Sequence, residues 1–116
     1  MKAAALKIIN GRIITPSRII PNGSLLVSGG LITALGEPDI DGAAEKTIDA
    51  AGKYVAPGFI DIHIHGGGGA DFMDGTVDAF LKIAETHARY GTTAMAPTTL
   101  TAEKEELLHT LDIYRQ

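Results

Sequence analysis

The sequence predicts an α/β chain: a small all-β unit over residues 1–56, followed by a parallel β/α repeat over residues 57–116. In the first half, short apolar runs are separated by glycine-containing turns, which is typical of paired β-strands. In the second half, the apolar residues change from strand spacing to helical spacing after the glycine run at 66–69. These observations place the boundary between Ala56 and Pro57.

Three strand pairs are predicted in the first unit, each around a short turn: 6–9 with 12–15, 24–28 with 31–35, and 47–50 with 53–56. The first turn is Asn10-Gly11, which favours a type I′ hairpin because both turn positions need a positive φ. The second turn is Gly29-Gly30, and the third is Ala51-Gly52. Residues 16–23 and 36–46 are predicted to be loops, the second of them polar.

The second half predicts strand, helix, strand, helix, the order of a parallel sheet with right-handed crossovers. The first strand is 57–65, and the second is 92–96, ended by Pro97. The first helix is capped by Asp74 or Thr76, and its apolar stripe is Val77, Phe80, Leu81, Ala84 and Ala88. Thr101 is the predicted cap of the second helix, whose first turns carry several glutamates.

Composition excludes several classes of protein. The formal net charge is −4 and the ten Lys and Arg residues are scattered, so neither a nucleic acid nor an anionic membrane is an expected partner. The 116 residues contain no cysteine, which excludes a disulfide framework and fits a reducing compartment. No apolar run is long enough to span a bilayer. The expected location is therefore the cytoplasm.

A candidate metal site lies at the end of the strand over residues 57–65, which read Pro-Gly-Phe-Ile-Asp-Ile-His-Ile-His. Alternation places Asp61, His63 and His65 on one face, and Ile60, Ile62 and Ile64 on the other. The isoleucine face must be buried, typically under a helix. Two imidazoles two residues apart at a strand's end can hold one metal ion through neutral nitrogens. His63 and His65 are therefore the predicted metal ligands.

Asp61, two residues before this pair, has two interpretations. Its carboxylate can accept a ring N–H and so fix the tautomer of a metal-binding histidine, a role outside the metal's own ligand set. Alternatively, it satisfies backbone donors within the sheet. His87 and His109 fall on helices and are predicted to be packed or solvated rather than to bind metal.

The glycine run at 66–69 also has two interpretations. Its backbone N–H groups could cradle a phosphate, or the glycines simply allow a sharp turn beside the metal. The second is favoured because no Lys-Ser/Thr pair of a P-loop follows. Residues 65–68 also match the His-Gly-Gly-Gly oxyanion motif of esterases, but the Gly-x-Ser-x-Gly elbow which that motif needs is absent.

The run at 57–65 resembles the amidohydrolase superfamily, whose first barrel strand ends in Pro-Gly-x-Ile-Asp-x-His-x-His. Two later segments, 65–74 and 91–101, are similar to the N-acetylglucosamine-6-phosphate deacetylases within it. The first run is shared with dihydroorotases and adenine deaminases, so these activities remain alternatives. A non-catalytic module is the alternative from a different class.

The resemblance implies an amino-terminal β-sandwich portion at 1–56, followed at 57–116 by the first two β/α units of a metal-dependent hydrolase (β/α)8 barrel. Such barrels need at least about 200 residues. The sequence is thus expected to be an incomplete amino-terminal fragment that is inactive alone. In a barrel, Thr98 and Thr99 would end a strand on the active-site face and could touch substrate. Asp71 and Asp74 could shape the mouth of the site or serve as turn and cap residues, and the second role is favoured for Asp74.

By the same resemblance, the activity would be hydrolysis of the acetamide of N-acetylglucosamine 6-phosphate to glucosamine 6-phosphate and acetate. The cofactor would be a divalent metal ion, zinc, iron or similar, with one or two ions per complete site. The family's remaining ligands and its catalytic aspartate have no match in these residues, so no catalytic residue is assigned. The implied partners are an amino-sugar phosphate substrate and further copies of the chain in a homo-oligomer.

Overall fold

The computed structural model describes residues 4–38 and 40–116. Asp39, within the predicted loop 36–46, lies outside the described residues. The contacts divide the chain into two units, Met1–Pro57 and Gly58–Gln116. This division falls one residue after the boundary that the sequence predicts.

The first unit is one β-sheet of five strands. They are β1 (Ala4–Ile14), β2 (Ile19–Ser28), β3 (Leu31–Gly36), β4 (Ala44–Asp49) and β5 (Tyr54–Val55). The spatial order is β3-β2-β1-β4, and β5 also pairs with β1. The β1–β2 and β2–β3 pairs are antiparallel, whereas β4 and β5 both run parallel to β1. The unit is therefore all-β, as predicted, but its sheet is mixed.

The hairpin around Gly29-Gly30 is confirmed. Ser28 pairs with Leu31 across the turn, and φ is +59° at Gly29 and +79° at Gly30. Both turn positions thus have the positive φ that a two-residue hairpin turn of this kind needs, and glycine reaches it at low cost.

The predicted hairpin at Asn10-Gly11 is wrong. Strand β1 continues through these residues, and a register irregularity marks the position instead. Asn10 has the predicted positive φ, +55°, but it forms a bulge rather than a turn. Its carbonyl accepts a hydrogen bond from Gly52 N at 2.8 Å. The bulge therefore faces the turn between β4 and β5, and these two strands occupy one edge of β1 in succession.

For the same reason, the predicted pairing of 47–50 with 53–56 is wrong, because both segments pair with β1 instead of with each other. The predicted loop 16–23 is shorter than expected, since β2 already begins at Ile19. Ile20, in that stretch, is 4% exposed and joins Ile13 and Leu25 in the core of this unit. Because the side chain of Ile20 is buried, β2 begins before Asn22 and Gly23, although these two residue types favour turns.

The second unit contains the predicted order of strands and helices. Its elements are β6 (Phe59–Ile64), β7 (Gly66–Gly67), β8 (Ala70–Asp71), a 3-10 helix (Phe72–Asp74), α1 (Val77–Ala88), β9 (Thr92–Pro97) and α2 (Lys104–Tyr114). Strands β6 and β9 pair in parallel, with α1 connecting them. The short β7 and β8 pair antiparallel, a hairpin that the sequence does not predict.

The helix caps agree with the sequence for α1 only. Thr76 Oγ1 accepts the N–H of Ala79 at 3.2 Å, which makes Thr76, of the two predicted candidates, the N-cap of α1. The N-cap of α2 is Glu103, without a side-chain hydrogen bond, so the predicted cap at Thr101 is wrong. Glu105 and Glu106 still lie in the first turn of α2, where negative charge is favourable.

The core of the second unit lies beneath the end of β6. It consists of Ile64, Phe72 and Ile83, which are 7%, 2% and 0% exposed. The predicted burial of Ile60 and Ile62 is wrong, because they are 71% and 82% exposed. Helix α1 packs on β7, β8 and β9 rather than along β6, so only the last isoleucine of β6 is covered.

The described helices include none with the length and apolar character needed to cross a membrane.

Candidate metal centre

His63 and His65 lie side by side at the carboxyl end of β6. Their Nε2 atoms are 3.2 Å apart, and the two rings meet edge to face with centroids 5.1 Å apart. His63 is exposed and His65 is half-buried. The alternation of the strand thus brings the two rings to one side of the sheet, as the sequence predicts, with their distal nitrogens converging.

A hydrogen bond from its other nitrogen orients the His65 ring. His65 Nδ1 lies 3.0 Å from the carbonyl oxygen of Thr98, just after β9. Because a carbonyl oxygen can only accept, Nδ1 must carry the proton. In the neutral imidazole, Nε2 then presents a lone pair, the form in which histidine binds metal.

The spacing of the pair fits a divalent metal ion. A metal about 2.0–2.1 Å from both Nε2 atoms, as for zinc and imidazole, would subtend about 100° at their observed separation. That angle lies between octahedral and tetrahedral values. Within residues 4–38 and 40–116, however, no third histidine, cysteine or carboxylate converges on the pair. The described residues therefore offer two candidate ligands, fewer than the three protein ligands of a catalytic zinc site.

Asp61 contacts the backbone of this site. Its Oδ1 accepts the N–H of His63 at 3.1 Å, which corresponds to the second of its two predicted roles. The ring nitrogens of the pair contact each other and Thr98. Asp61 thus acts on His63 through the main chain of β6.

The glycine run forms the hairpin of β7 and β8, with its turn at Gly68 and Gly69. Both have positive φ, +64° and +83°, so the run makes the sharp turn that the sequence favours. The carbonyl of His65 accepts the N–H of Phe72 at 2.9 Å and closes the loop directly after this histidine. His87 Nε2 donates to the carbonyl of Gly66 at 3.1 Å and ties the hairpin to α1.

Replacing Gly66 with Ala should destabilise this hairpin. A Cβ at this position would overlap the carbonyl oxygen of Ala70 and lie 2.9 Å from Cα of Asp71. Since both obstacles are backbone atoms, we expect a loss of about 2–3 kcal/mol. Urea unfolding, together with hydrogen exchange of the Phe72 amide, measures it.

The comparison variant is Gly69→Ala, where nothing lies within 4 Å of the added Cβ and only the positive φ is unfavourable. It should cost about 1 kcal/mol. Equal losses in the two variants would contradict the steric role of Gly66.

Asp71 and Asp74 form reciprocal hydrogen bonds at the 3-10 helix. Asp71 Oδ1 accepts the N–H of Met73 at 2.8 Å, and Asp74 Oδ2 accepts the N–H of Asp71 at 2.9 Å. This capping box agrees with the predicted turn and cap roles.

His109 is exposed, as predicted, but its Nε2 also donates to the carbonyl of Gly75 at 2.9 Å.

Sequence reasoning missed the role of the Thr98 carbonyl. The sequence indicates Thr98 only as a residue that could touch substrate, whereas the structure places its main chain against His65. The two residues are 33 positions apart, and a main-chain carbonyl has no sequence signature. Only the parallel pairing of β6 with β9 hinted at their proximity.

A model of the amidohydrolase family matches residues 46–108, a segment that contains both histidines and most of the second unit. The chain belongs to the amidohydrolase family. Among curated relatives, the N-acetylglucosamine-6-phosphate deacetylase of Bacillus subtilis (strain 168) is 35% identical over 102 residues. The crystal structure of N-acetylglucosamine-6-phosphate deacetylase from Pasteurella multocida superposes with a TM-score of 0.83 at 29% sequence identity.

Both deacetylases are much longer than the matched segment. The alignment covers 87% of this chain but 26% of the Bacillus protein, and 95% of this chain but 29% of the Pasteurella chain. An adenine deaminase of Listeria monocytogenes serotype 4b (strain F2365) is 50% identical over 64 residues, which are 53% of this chain and 10% of that protein. Another adenine deaminase, from Deinococcus radiodurans, is 34% identical over 95 residues, which are 82% of this chain and 15% of that protein. The extent of the alignment therefore does not separate deacetylases from adenine deaminases.

Proposed function

We propose that this amidohydrolase chain contributes His63 and His65 to the metal centre of an N-acetylglucosamine-6-phosphate deacetylase. The observation that carries the proposal is the convergence of the two Nε2 atoms at 3.2 Å. The bond from His65 Nδ1 to Thr98 supports it, since it leaves Nε2 free to bind a metal. The structural likeness to the Pasteurella multocida deacetylase, with a TM-score of 0.83 over 95% of this chain, favours a deacetylase over the other amidohydrolases.

The proposed reaction is hydrolysis of the acetamide of N-acetylglucosamine 6-phosphate, which releases acetate and the free amine. A bound divalent metal would supply Lewis acidity toward the amide carbonyl and the attacking water. The role of this chain is to hold the two imidazoles. Asp61 restrains the backbone at His63, and the end of β9 orients the ring of His65.

Two histidines alone do not complete a catalytic metal site, which needs at least one more protein ligand. We therefore propose that residues 1–116 by themselves are inactive, and that the activity belongs to a longer protein. A homo-oligomeric state of that protein remains a prediction.

A second candidate function is deamination or cyclic-amide hydrolysis. It is favoured by the higher local identity to an adenine deaminase, and by a dihydroorotase that is 44% identical over 61 residues. These matches cover 53% and 52% of this chain. The run at 57–65 resembles dihydroorotases and adenine deaminases as well as deacetylases, so the His-x-His pair does not distinguish the activities.

A substrate panel tests the proposal. The product of the complete reading frame, loaded with Zn²⁺, is assayed with N-acetylglucosamine 6-phosphate, adenine and dihydroorotate. We expect acetate release, with kcat/KM for the sugar phosphate exceeding that for the other two by about 100-fold or more. Ammonia release from adenine without acetate release from the sugar would overturn the deacetylase assignment. The 116-residue chain, assayed alone, should release no acetate.

A further inference from the structure

Thr98 joins the ends of β6 and β9 through four hydrogen bonds. Its N–H donates to the carbonyl of Ile64 at 2.8 Å. Its Oγ1 accepts the N–H of Ile64 at 3.2 Å and donates to the carbonyl of Ala96 at 3.1 Å. Its carbonyl accepts from His65 Nδ1 at 3.0 Å. One half-buried residue thus uses every polar group that it has at the edge where the two imidazoles lie.

The hydroxyl acts where the regular strand pairing fails. The β6–β9 register is irregular between Asp61 and Ile64, directly before His65. An irregular ladder does not by itself determine how far the end of β9 extends along β6. The hydroxyl of Thr98 aligns the two strands here, because it forms hydrogen bonds with the N–H of Ile64 on β6 and with the carbonyl of Ala96 on β9.

We propose that Thr98 is a positioning residue for His65. Its hydroxyl holds the end of β9 in register, so that its carbonyl meets Nδ1 and keeps the ring proton there. The Nε2 lone pair of His65 then faces Nε2 of His63. In the metal-free chain, Nε2–H of His63 donates to this lone pair, since one of two ring nitrogens at 3.2 Å must be the donor. The proposal rests on the proposed metal centre and deepens it.

The test compares three variants of the ¹⁵N-labelled chain. Thr98→Val removes the hydroxyl with little change of shape, and Thr98→Ser keeps it. The matched control is Thr99→Val, because the exposed Thr99 forms no hydrogen bond through its hydroxyl within the described part of the chain. The primary measurement is the tautomer of His65 from its ring ¹⁵N shifts, in metal-free protein at a pH where the imidazole is neutral.

We expect a single Nδ1–H tautomer at His65 in the wild type, Thr98→Ser and Thr99→Val. Thr98→Val should give a mixture of the two tautomers. A second measurement is Zn²⁺ affinity, which should fall about 10–100-fold in Thr98→Val, as for loss of other groups that orient metal-bound histidines. Thr98→Ser should restore it. A merely structural role would not change the tautomer.

Several results would overturn the proposal. One is the finding that His65 of the wild type is protonated on Nε2. This measurement needs no variant, so it tests the proposal even if Thr98→Val does not fold. Another is an unchanged tautomer in folded Thr98→Val, and a third is loss of the Nδ1–H form in Thr98→Ser. If the tautomers behave as expected but no variant at His63 or His65 changes Zn²⁺ binding, the proposed metal centre fails while the positioning contact stands.

Discussion

Replacing His63 with Ala is expected to lower the affinity of the chain for Zn²⁺ by more than about 100-fold. The variant removes one of the two converging Nε2 donors, which lie 3.2 Å apart. No other histidine, cysteine or carboxylate in the described part of the chain is placed to substitute for it. Because losing a group that merely orients a metal-bound histidine already costs about 10–100-fold, losing the donor itself should cost more. Isothermal titration with Zn²⁺ measures the effect.

The matched control is His109→Ala. This histidine is exposed, and its Nε2 donates to the carbonyl of Gly75 rather than facing the pair. Its replacement should leave Zn²⁺ affinity within a factor of about two, because a ring engaged elsewhere contributes no ligand. Equal loss in both variants would indicate scattered surface binding of Zn²⁺. Unchanged affinity in His63→Ala would exclude the proposed centre at the end of β6.

Replacing Phe72 with Ala is expected to destabilise the second unit by about 3–5 kcal/mol, the usual cost of a buried Phe-to-Ala change. Phe72 is 2% exposed and packs with Ile64 and Ile83. Its ring also meets Phe80 edge to face, with centroids 4.7 Å apart. The cavity would open directly behind Ile64, the residue between the two histidines. Urea unfolding, followed through NMR signals of Gly58–Gln116, measures the loss.

The comparison variant is Phe59→Ala, the same chemical change on β6. Phe59 is 63% exposed, so its truncation removes little buried surface and should cost less than about 1 kcal/mol. Signals of the first unit should keep their unfolding midpoint in both variants, since its own core is Ile13, Ile20 and Leu25. Similar losses for Phe72→Ala and Phe59→Ala would show that the cluster around Ile64 is not the core of this unit.

Local sequence patterns were sufficient to predict the structure where all the residues that determine it lie in one short segment. The Gly29-Gly30 turn needs two positive φ values, and two glycines supply them without help from distant residues. At Asn10-Gly11, by contrast, the local residues were not sufficient to predict the structure. Asn10 does take a positive φ, but whether that makes a turn or a bulge depends on what pairs with β1 beyond it.

The glycine at position 11 is explained by a contact with a distant strand, which the Asn-Gly pattern does not indicate. A Cβ there would lie 2.7 Å from Cγ2 of Val55, so the glycine serves the close approach of β5 rather than a hairpin turn. The sequence was likewise not sufficient to predict which isoleucines of β6 are buried. Alternation places three isoleucines on one face, but the position of α1 decides that only Ile64 is covered.

The sequence by itself determined the order of β6, α1, β9 and α2 in the second unit, and the pair of histidines at the end of β6. Those follow from residue spacing, which acts over a few positions. Only the tertiary structure decided the strand partners of β1 and the contact between His65 and Thr98. These depend on residues tens of positions apart, such as the 33 that separate His65 from Thr98. A main-chain carbonyl is common to all residues, so its location, and not its identity, makes it the acceptor for His65.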